Sequence, residues 1–337
     1  MKEARHWEGL SDGKVRCILC PNTCVILPGG QGVCRVRENR EGKLYSRAYG
    51  RVTSIGLDPV EKKPLYHFHP GGLVLSIGTY GCNFSCEFCQ NWHISQMNPE
   101  YTMLSPDDVV KLALGHRKRY ENTVGIAYTY NEPTVWWEFV YECARKAKEA
   151  GLSNVLVTNG YIAEGPLEEL LPYIDALNID VKAWKEDFYK RVVHGRLDPV
   201  LKTVEKSLES SWVEVTYLVI PGENDSEEDV RAMSSWLKSL SPAIPLHLSR
   251  YFPAYRFARP PTPVKTLERL REVAMENLYY VYVGNVWKKG YADTFCPECG
   301  EVLLERGALQ LEASHLKDGL CPACNRPLDV KGAIWSP

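Results

Sequence analysis

Cys82, Cys86 and Cys89 are separated by three and two residues, so one loop can wrap all three thiolates around a single metal cluster. A cubane [4Fe–4S] cluster has four irons and usually takes four thiolates. Three thiolates would leave one iron without a protein ligand, which is how a metal site keeps a position open for a substrate. The loop follows the apolar run Leu73–Ile77. Folds with parallel strands place their chemistry at such strand ends.

The other cysteines of the twelve fall into two quartets and a singleton. Cys296, Cys299, Cys321 and Cys324 form two Cys-x2-Cys knuckles, a spacing shared by zinc ribbons and rubredoxin-like sites, with zinc favoured over a single iron. Cys17, Cys20, Cys24 and Cys34 suit either zinc or an auxiliary [4Fe–4S] cluster; complete ligation by protein and the lack of an adjoining electron-transfer motif favour zinc. Cys143 lies among Trp136, Trp137, Phe139, Val140 and Ala144 and reads as a core thiol.

These groups sit in three segments. Residues 1–70 form an N-terminal four-Cys module, and residues 287–337 a C-terminal zinc-ribbon-like or rubredoxin-like module. Between them, residues 71–286 alternate strand and helix. Leu73–Ile77, Gly125–Tyr128, Val155–Val157, Leu177–Val181, Val213–Ile220 and Pro245–Leu248 read as strands. Helices are expected from Ser105-Pro106-Asp107-Asp108 and over 134–150, 164–172, 198–210, 225–240 and 264–276. The alternation predicts an α/β fold with a parallel sheet, as a partial barrel or an open sheet.

Bulk composition fits a cytoplasmic protein. The 337 residues carry a net charge of −2, with 45% hydrophobic and 24% charged residues. That balance supplies no broad attraction to nucleic acid or anionic lipid. The charged start Met1-Lys2-Glu3-Ala4-Arg5-His6 lacks the apolar stretch of a secretory signal, and no apolar run is long enough to cross a bilayer. Clustered cysteines in a reducing compartment point to metals rather than disulfides.

Cys-x3-Cys-x2-Cys with Phe88 before its last cysteine resembles the signature of the radical S-adenosylmethionine (SAM) superfamily. The resemblance implies a partial (β/α)6 barrel and a cluster whose open iron binds SAM. One electron then cleaves SAM, and a 5′-deoxyadenosyl radical abstracts hydrogen from a substrate. It also implies an electron donor of flavodoxin or ferredoxin type and places Phe88 beside the adenine.

Further cofactor-binding residues follow from the same resemblance. Glu132, in Tyr128-Thr129-Tyr130-Asn131-Glu132-Pro133, occupies the place of a Gly-Gly-Glu-type segment that holds the SAM amino group, although two glycines are absent. Thr158 and Asn159 end the third expected strand. Asp180 and Lys182 resemble the Asp-x-Lys of glycyl-radical activating enzymes, where it contacts SAM. Ile220-Pro221-Gly222 resembles the segment backing the adenine, but Thr216 stands near the place of an arginine in activating enzymes. His247, Arg250 and Tyr251 read as core or exposed polar residues before substrate contacts.

Over its full length the sequence resembles the radical SAM member of the AmmeMemoRadiSam system, related to pyruvate formate-lyase activating enzymes. Cys17-Ile18-Leu19-Cys20-Pro21-Asn22-Thr23-Cys24, Asp58-Pro59-Val60-Glu61-Lys62-Lys63-Pro64 and Cys89-Gln90-Asn91-Trp92 carry that likeness. It implies companion proteins of that system without fixing a reaction. The expectation is a radical enzyme, of oxidoreductase or transferase/lyase type, acting on an unidentified substrate. The alternatives are a glycyl-radical activating enzyme, an RNA-modifying enzyme, and a non-enzymatic metal scaffold.

Overall fold

In the computed structural model, which describes residues 1–307 and 309–336, the centre is one eight-stranded sheet. Its strands run in simple consecutive order: β1 (Ser54–Pro59), β2 (Leu73–Gly78), β3 (Thr123–Tyr128), β4 (Ser153–Thr158), β5 (Ala176–Asp180), β6 (Trp212–Val219), β7 (Leu246–Arg250) and β8 (Val281–Gly284). β2 to β8 are parallel, and β1 pairs antiparallel with β2, with Ser54 opposite Gly78 and Pro59 opposite Leu73.

The intervening helices are α1 (Pro106–Arg119), α2 (Trp137–Glu149), α3 (Glu164–Leu170), α4 (Asp198–Ser207), α5 (Glu227–Leu240) and α6 (Val264–Met275). Right-handed crossovers that always step to the next strand send every helix to the same face. The start of α1 is set locally: Ser105 Oγ accepts from Asp108 N at 3.2 Å, the Asp108 carboxylate accepts from Ser105 N at 2.9 Å, and Pro106 opens the helix.

All six expected strands are present, with ends moved by a few residues. Two strands were not expected. β1 contains Gly56 and Pro59, which interrupt its apolar run, whereas β8 ends the apolar run 278–283, a strand signal that sequence reasoning passed over. The sheet therefore has seven parallel strands rather than the six of a (β/α)6 unit. β1 falls within residues 1–70 yet belongs to the central sheet. β5 stops at Asp180, so Lys182 lies just beyond the strand rather than in it.

Smaller sheets flank the centre. In the N-terminal region, Arg37–Arg40 pairs with Lys43–Ser46, and Val15–Cys17 lies between Trp7–Gly9 and Val25–Ile26. Buried Arg37 and Glu138 meet at 2.7 Å and tie this region to α2. In the C-terminal region, Val302–Gly307 pairs with Thr294–Phe295 and Gln310–Ser314. Its Leu303, Leu304 and Leu311 share a buried cluster with Tyr66, Tyr280 and Tyr282.

A buried polar network lies at this junction. Glu214 accepts from the backbone of Tyr66 and His67 and from His247 Nε2, at 2.9, 2.7 and 2.7 Å. His247 is thus a core residue. His67 Nδ1 lies 2.6 Å from the Asp329 carbonyl, so it must donate there, leaving Nε2 to accept from Tyr282 Oη at 2.6 Å. That is a neutral imidazole, and burial pushes its pKa down to about 4 from 6.5. The unfolded chain then takes the proton first, so stability is full above pH 6.5 and is lost as pH falls toward 4. Thermal melts between pH 7.5 and 4.5 should show this loss, and His67→Gln should flatten it; an unchanged slope in the variant would rule out His67 as the cause.

Candidate active site

The loop after β2 is shaped before any cysteine is reached. Asn131 accepts from Thr79 N at 3.0 Å and donates to the Gly81 carbonyl at 2.9 Å, so the end of β3 holds the exit of β2. Gly81 has φ +82°, and a Cβ there would lie 2.5 Å from the Cys34 carbonyl oxygen, so glycine is required. Ser85 N and Glu87 N then donate to Val193 and Val192 carbonyls, pinning the loop to the segment after β5.

Cys82, Cys86 and Cys89 all line one cleft of about 400 Å3. Cys82 Sγ accepts from Phe84 N at 3.4 Å and lies 3.7 Å from Asn159 Nδ2; Cys89 Sγ lies 3.2 Å from Ser95 Oγ. Burial pushes the Cys86 thiol up to about 12, against the pull of the Lys182 ammonium. A metal cation is the partner that would hold such a thiol as thiolate. The three sulfurs are more widely spread than a single ion needs: among the described residues, only Cys296, Cys299, Cys321 and Cys324 place three or more ligand atoms within 4.8 Å of one another. A multi-iron cluster fits the spread, because each thiolate binds a different iron.

The same cleft collects most of the other expected residues. Phe88, Glu132, Thr158, Asn159, Asp180 and Lys182 all line it. Phe88 stacks on Phe188 with ring centres 5.9 Å apart, so its ring is fixed from behind. Asp180 Oδ2 and Lys182 Nζ meet at 2.8 Å. Burial opposes the Lys182 charge, but Asp180 and the nearby thiols outweigh it and hold its pKa above the ordinary lysine value.

Glu132 departs from a free amino-group acceptor. Its Oε1 accepts from Thr134 N at 2.9 Å and Thr158 Oγ1 at 2.7 Å, and Oε2 from Asn159 N at 2.7 Å. Buried among these donors, it joins the ends of β3 and β4 and orients Asn159 toward Cys82. Ile220 is not among the lining residues: its side chain is buried, and its N–H donates to Asn224 Oδ1 at 2.6 Å in the turn after β6. Thr216 and Leu218 of β6 line the cleft instead.

Sequence reasoning missed Lys62 and Lys63, which also line the cleft. Lys63 is buried, 2.8 Å from Asp58 Oδ2, and its ammonium lies over the Tyr130 ring. Only the antiparallel pairing of β1 with β2 brings this lysine there; the charged run Asp58–Lys63 was its only sequence signal.

Both quartets are gathered. Cys296 and Cys324 sulfurs lie 3.5 Å apart, as do those of Cys299 and Cys321, and all four fit one tetrahedral ion. Cys17, Cys20, Cys24 and Cys34 line a small void with Arg37. Cys143 is fully buried in the core, as expected.

Residues 76–233 match the family profile of the Radical SAM superfamily. An uncharacterized protein of Methanocaldococcus jannaschii is 43% identical over 98% of this chain and 99% of its own length. The chain belongs to the radical SAM superfamily. It is also homologous to a pyruvate formate-lyase-activating enzyme of Clostridium pasteurianum, at 25% identity over 48% of this chain and 67% of that protein. A solved Streptococcus suis SuiB structure has a similar fold, with a TM-score of 0.51 and 15% identity over 63% of this chain and 52% of that one. Radical SAM membership implies an enzyme that uses SAM and a [4Fe–4S] cluster. No described helix is long and apolar enough to cross a membrane.

Proposed function

We propose that Cys82, Cys86 and Cys89 hold the catalytic [4Fe–4S] cluster and that the cleft beside them binds SAM. Bound there, the cluster would supply one electron to SAM, giving methionine and a 5′-deoxyadenosyl radical that would take a hydrogen atom from the substrate. The observation that carries this reading is three spread thiols opening onto a cleft that also holds a lysine–aspartate pair.

The chain's own residues then divide the binding task. Lys182 offers a cation to the SAM carboxylate, and Asp180 an acceptor to its ammonium. Phe88 gives the adenine an apolar wall. Glu132 keeps the ends of β3 and β4 in register, and Asn159 donates toward Cys82. Beside the cleft, and sharing Gln90, Leu218 and Asn285 with it, lies a recess also lined by Arg250, Phe252 and Trp287. We read that recess as the substrate's approach.

The finer assignments extend this reading. The sheet is the incomplete barrel of a radical SAM core (71–286, tied to 1–70 through β1), flanked by four-Cys modules in 1–70 and 287–337, with zinc at the C-terminal quartet. The likeness to activating enzymes, together with Asp180 and Lys182, supports a protein glycyl substrate as the second reading, and the AmmeMemoRadiSam resemblance supports companion proteins of that system.

Anaerobic protein, loaded with iron and sulfide and reduced, should release 5′-deoxyadenosine from SAM even without substrate. No release from fully loaded protein would overturn the reading. Deuterium carried from a labelled small molecule into 5′-deoxyadenosine would favour a free substrate, and a glycyl radical on a partner chain the second reading.

A further inference from the structure

The cysteine sites of this chain differ in how far apart they hold their sulfurs, and that spacing reports how many metals each can bind. A single tetrahedral zinc, with Zn–S bonds of about 2.3 Å, sets its thiolates about 3.8 Å apart. Cys296, Cys299, Cys321 and Cys324 meet that condition. Cys17, Cys20, Cys24 and Cys34 do not. Among the described residues, no three of their sulfurs come within 4.8 Å of one another, and no hydrogen bond joins any two of these thiols. Yet all four line one void. Separated sulfurs around a common hole suit a cubane, in which each thiolate takes its own iron.

A second observation concerns Arg37, which lines the same void and is 1% exposed. Its Nη1 is satisfied by Glu138, but Nε and Nη2 have no partner. Buried donors left without acceptors cost free energy. An anionic iron–sulfur cluster would bring sulfur acceptors and a charge to match the guanidinium.

The void also lies close to the candidate active site. Asn22, between Cys20 and Cys24, donates to the Asn83 carbonyl at 2.8 Å. The Cys34 carbonyl packs against Gly81. Arg35 donates to the Ser95 carbonyl, and Ser95 Oγ lies 3.2 Å from Cys89 Sγ.

We propose that Cys17, Cys20, Cys24 and Cys34 bind a second [4Fe–4S] cluster, ligated entirely by protein, that passes electrons to the catalytic cluster. With no open iron, it has no place for SAM. A low-potential donor protein of flavodoxin or ferredoxin type reduces it by one electron. That electron then reduces the cluster at Cys82, Cys86 and Cys89, leaving the first oxidised again, with no bond or proton changed. The relay rests on the catalytic reading above; the presence of the second cluster does not.

The test uses the full chain carrying Cys82→Ala, Cys86→Ala and Cys89→Ala, loaded anaerobically. Iron, acid-labile sulfide and zinc are counted, and electron paramagnetic resonance is recorded after reduction. The expected result is about four irons and four sulfides per chain with a reducible cluster signal. A second zinc at the N-terminal quartet, or neither zinc nor cluster iron there in folded protein, would overturn the proposal.

The metal at the C-terminal quartet and circular dichroism report folding. As a second measure, Cys20→Ser with Cys24→Ser in the otherwise natural chain should lower iron from about eight to about four, beyond any single iron at the C-terminal site. Natural protein with only about four cluster irons that still releases 5′-deoxyadenosine would sink this proposal alone. Protein with about eight that releases none would sink the catalytic reading alone.

Discussion

Cys86→Ala is expected to abolish 5′-deoxyadenosine release while leaving the chain folded. Cys86 is one of only three thiols in the cleft, so its loss leaves two ligands for four irons. Even residues that merely support a metal ligand cost 10–100-fold in metal affinity or activity, so losing a ligand should cost more than about 100-fold. Burial holds the thiol at a pKa of about 12, so without a metal it stays neutral and contributes packing alone. Replacing a small buried thiol by alanine leaves a modest cavity in a large core. Cys143→Ala is the matched control: it removes a fully buried thiol from α2, far from any cysteine group in sequence, and should lower the melting temperature slightly without touching release. Iron analysis, 5′-deoxyadenosine release and thermal melts of both variants decide the matter. Undiminished release from Cys86→Ala would remove Cys86 from the site.

Much of this site was legible because parallel strands buried on both faces appear as unbroken apolar runs, and their ends mark one edge of the sheet. Thr158 closes β4 and Asp180 closes β5, Asn159 follows Thr158 directly, Lys182 lies one residue beyond Val181, and Glu132 lies shortly after β3. All reach the cleft. What spacing could not reveal was how their hydrogen bonds are used. Glu132 has the expected place but gives its oxygens to Thr134, Thr158 and Asn159. Ile220 has the expected chain position, but the Asn224 side chain closes its turn and the residue stays in the core. Lys63 was hidden for another reason. It precedes Cys82 by a strand and a turn, and its contribution depends on the register of β1, whose glycine and proline disguise it as a loop.

Lys182→Met is expected to weaken SAM binding sharply while leaving cluster assembly possible. The backbone of Lys182 is fixed independently of its side chain: its N–H donates to Tyr189 Oη at 2.9 Å, and its carbonyl accepts from Asn224 Nδ2 at 2.8 Å. Removing the ammonium should therefore change charge in the cleft more than it changes shape. A hydrogen bond to a charged group is worth about 1.5–3 kcal/mol. At about 1.4 kcal/mol per tenfold, the dissociation constant for SAM should rise roughly 10- to 100-fold. Lys182→Arg, which keeps the charge, should recover part of the loss. Asp180→Asn with Lys182→Met should cost less than the sum of the single changes, because each single change strands the other partner. The ammonium also lowers the pKa of the Cys86 thiol, so without it the thiol ionises at higher pH. Iron uptake by Lys182→Met should accordingly need more alkaline buffer than uptake by the natural chain. Equilibrium binding of SAM to loaded protein and iron uptake across a pH series measure the two effects separately. Unchanged SAM affinity together with an unchanged uptake profile would mean that the lysine serves only its ion pair with Asp180.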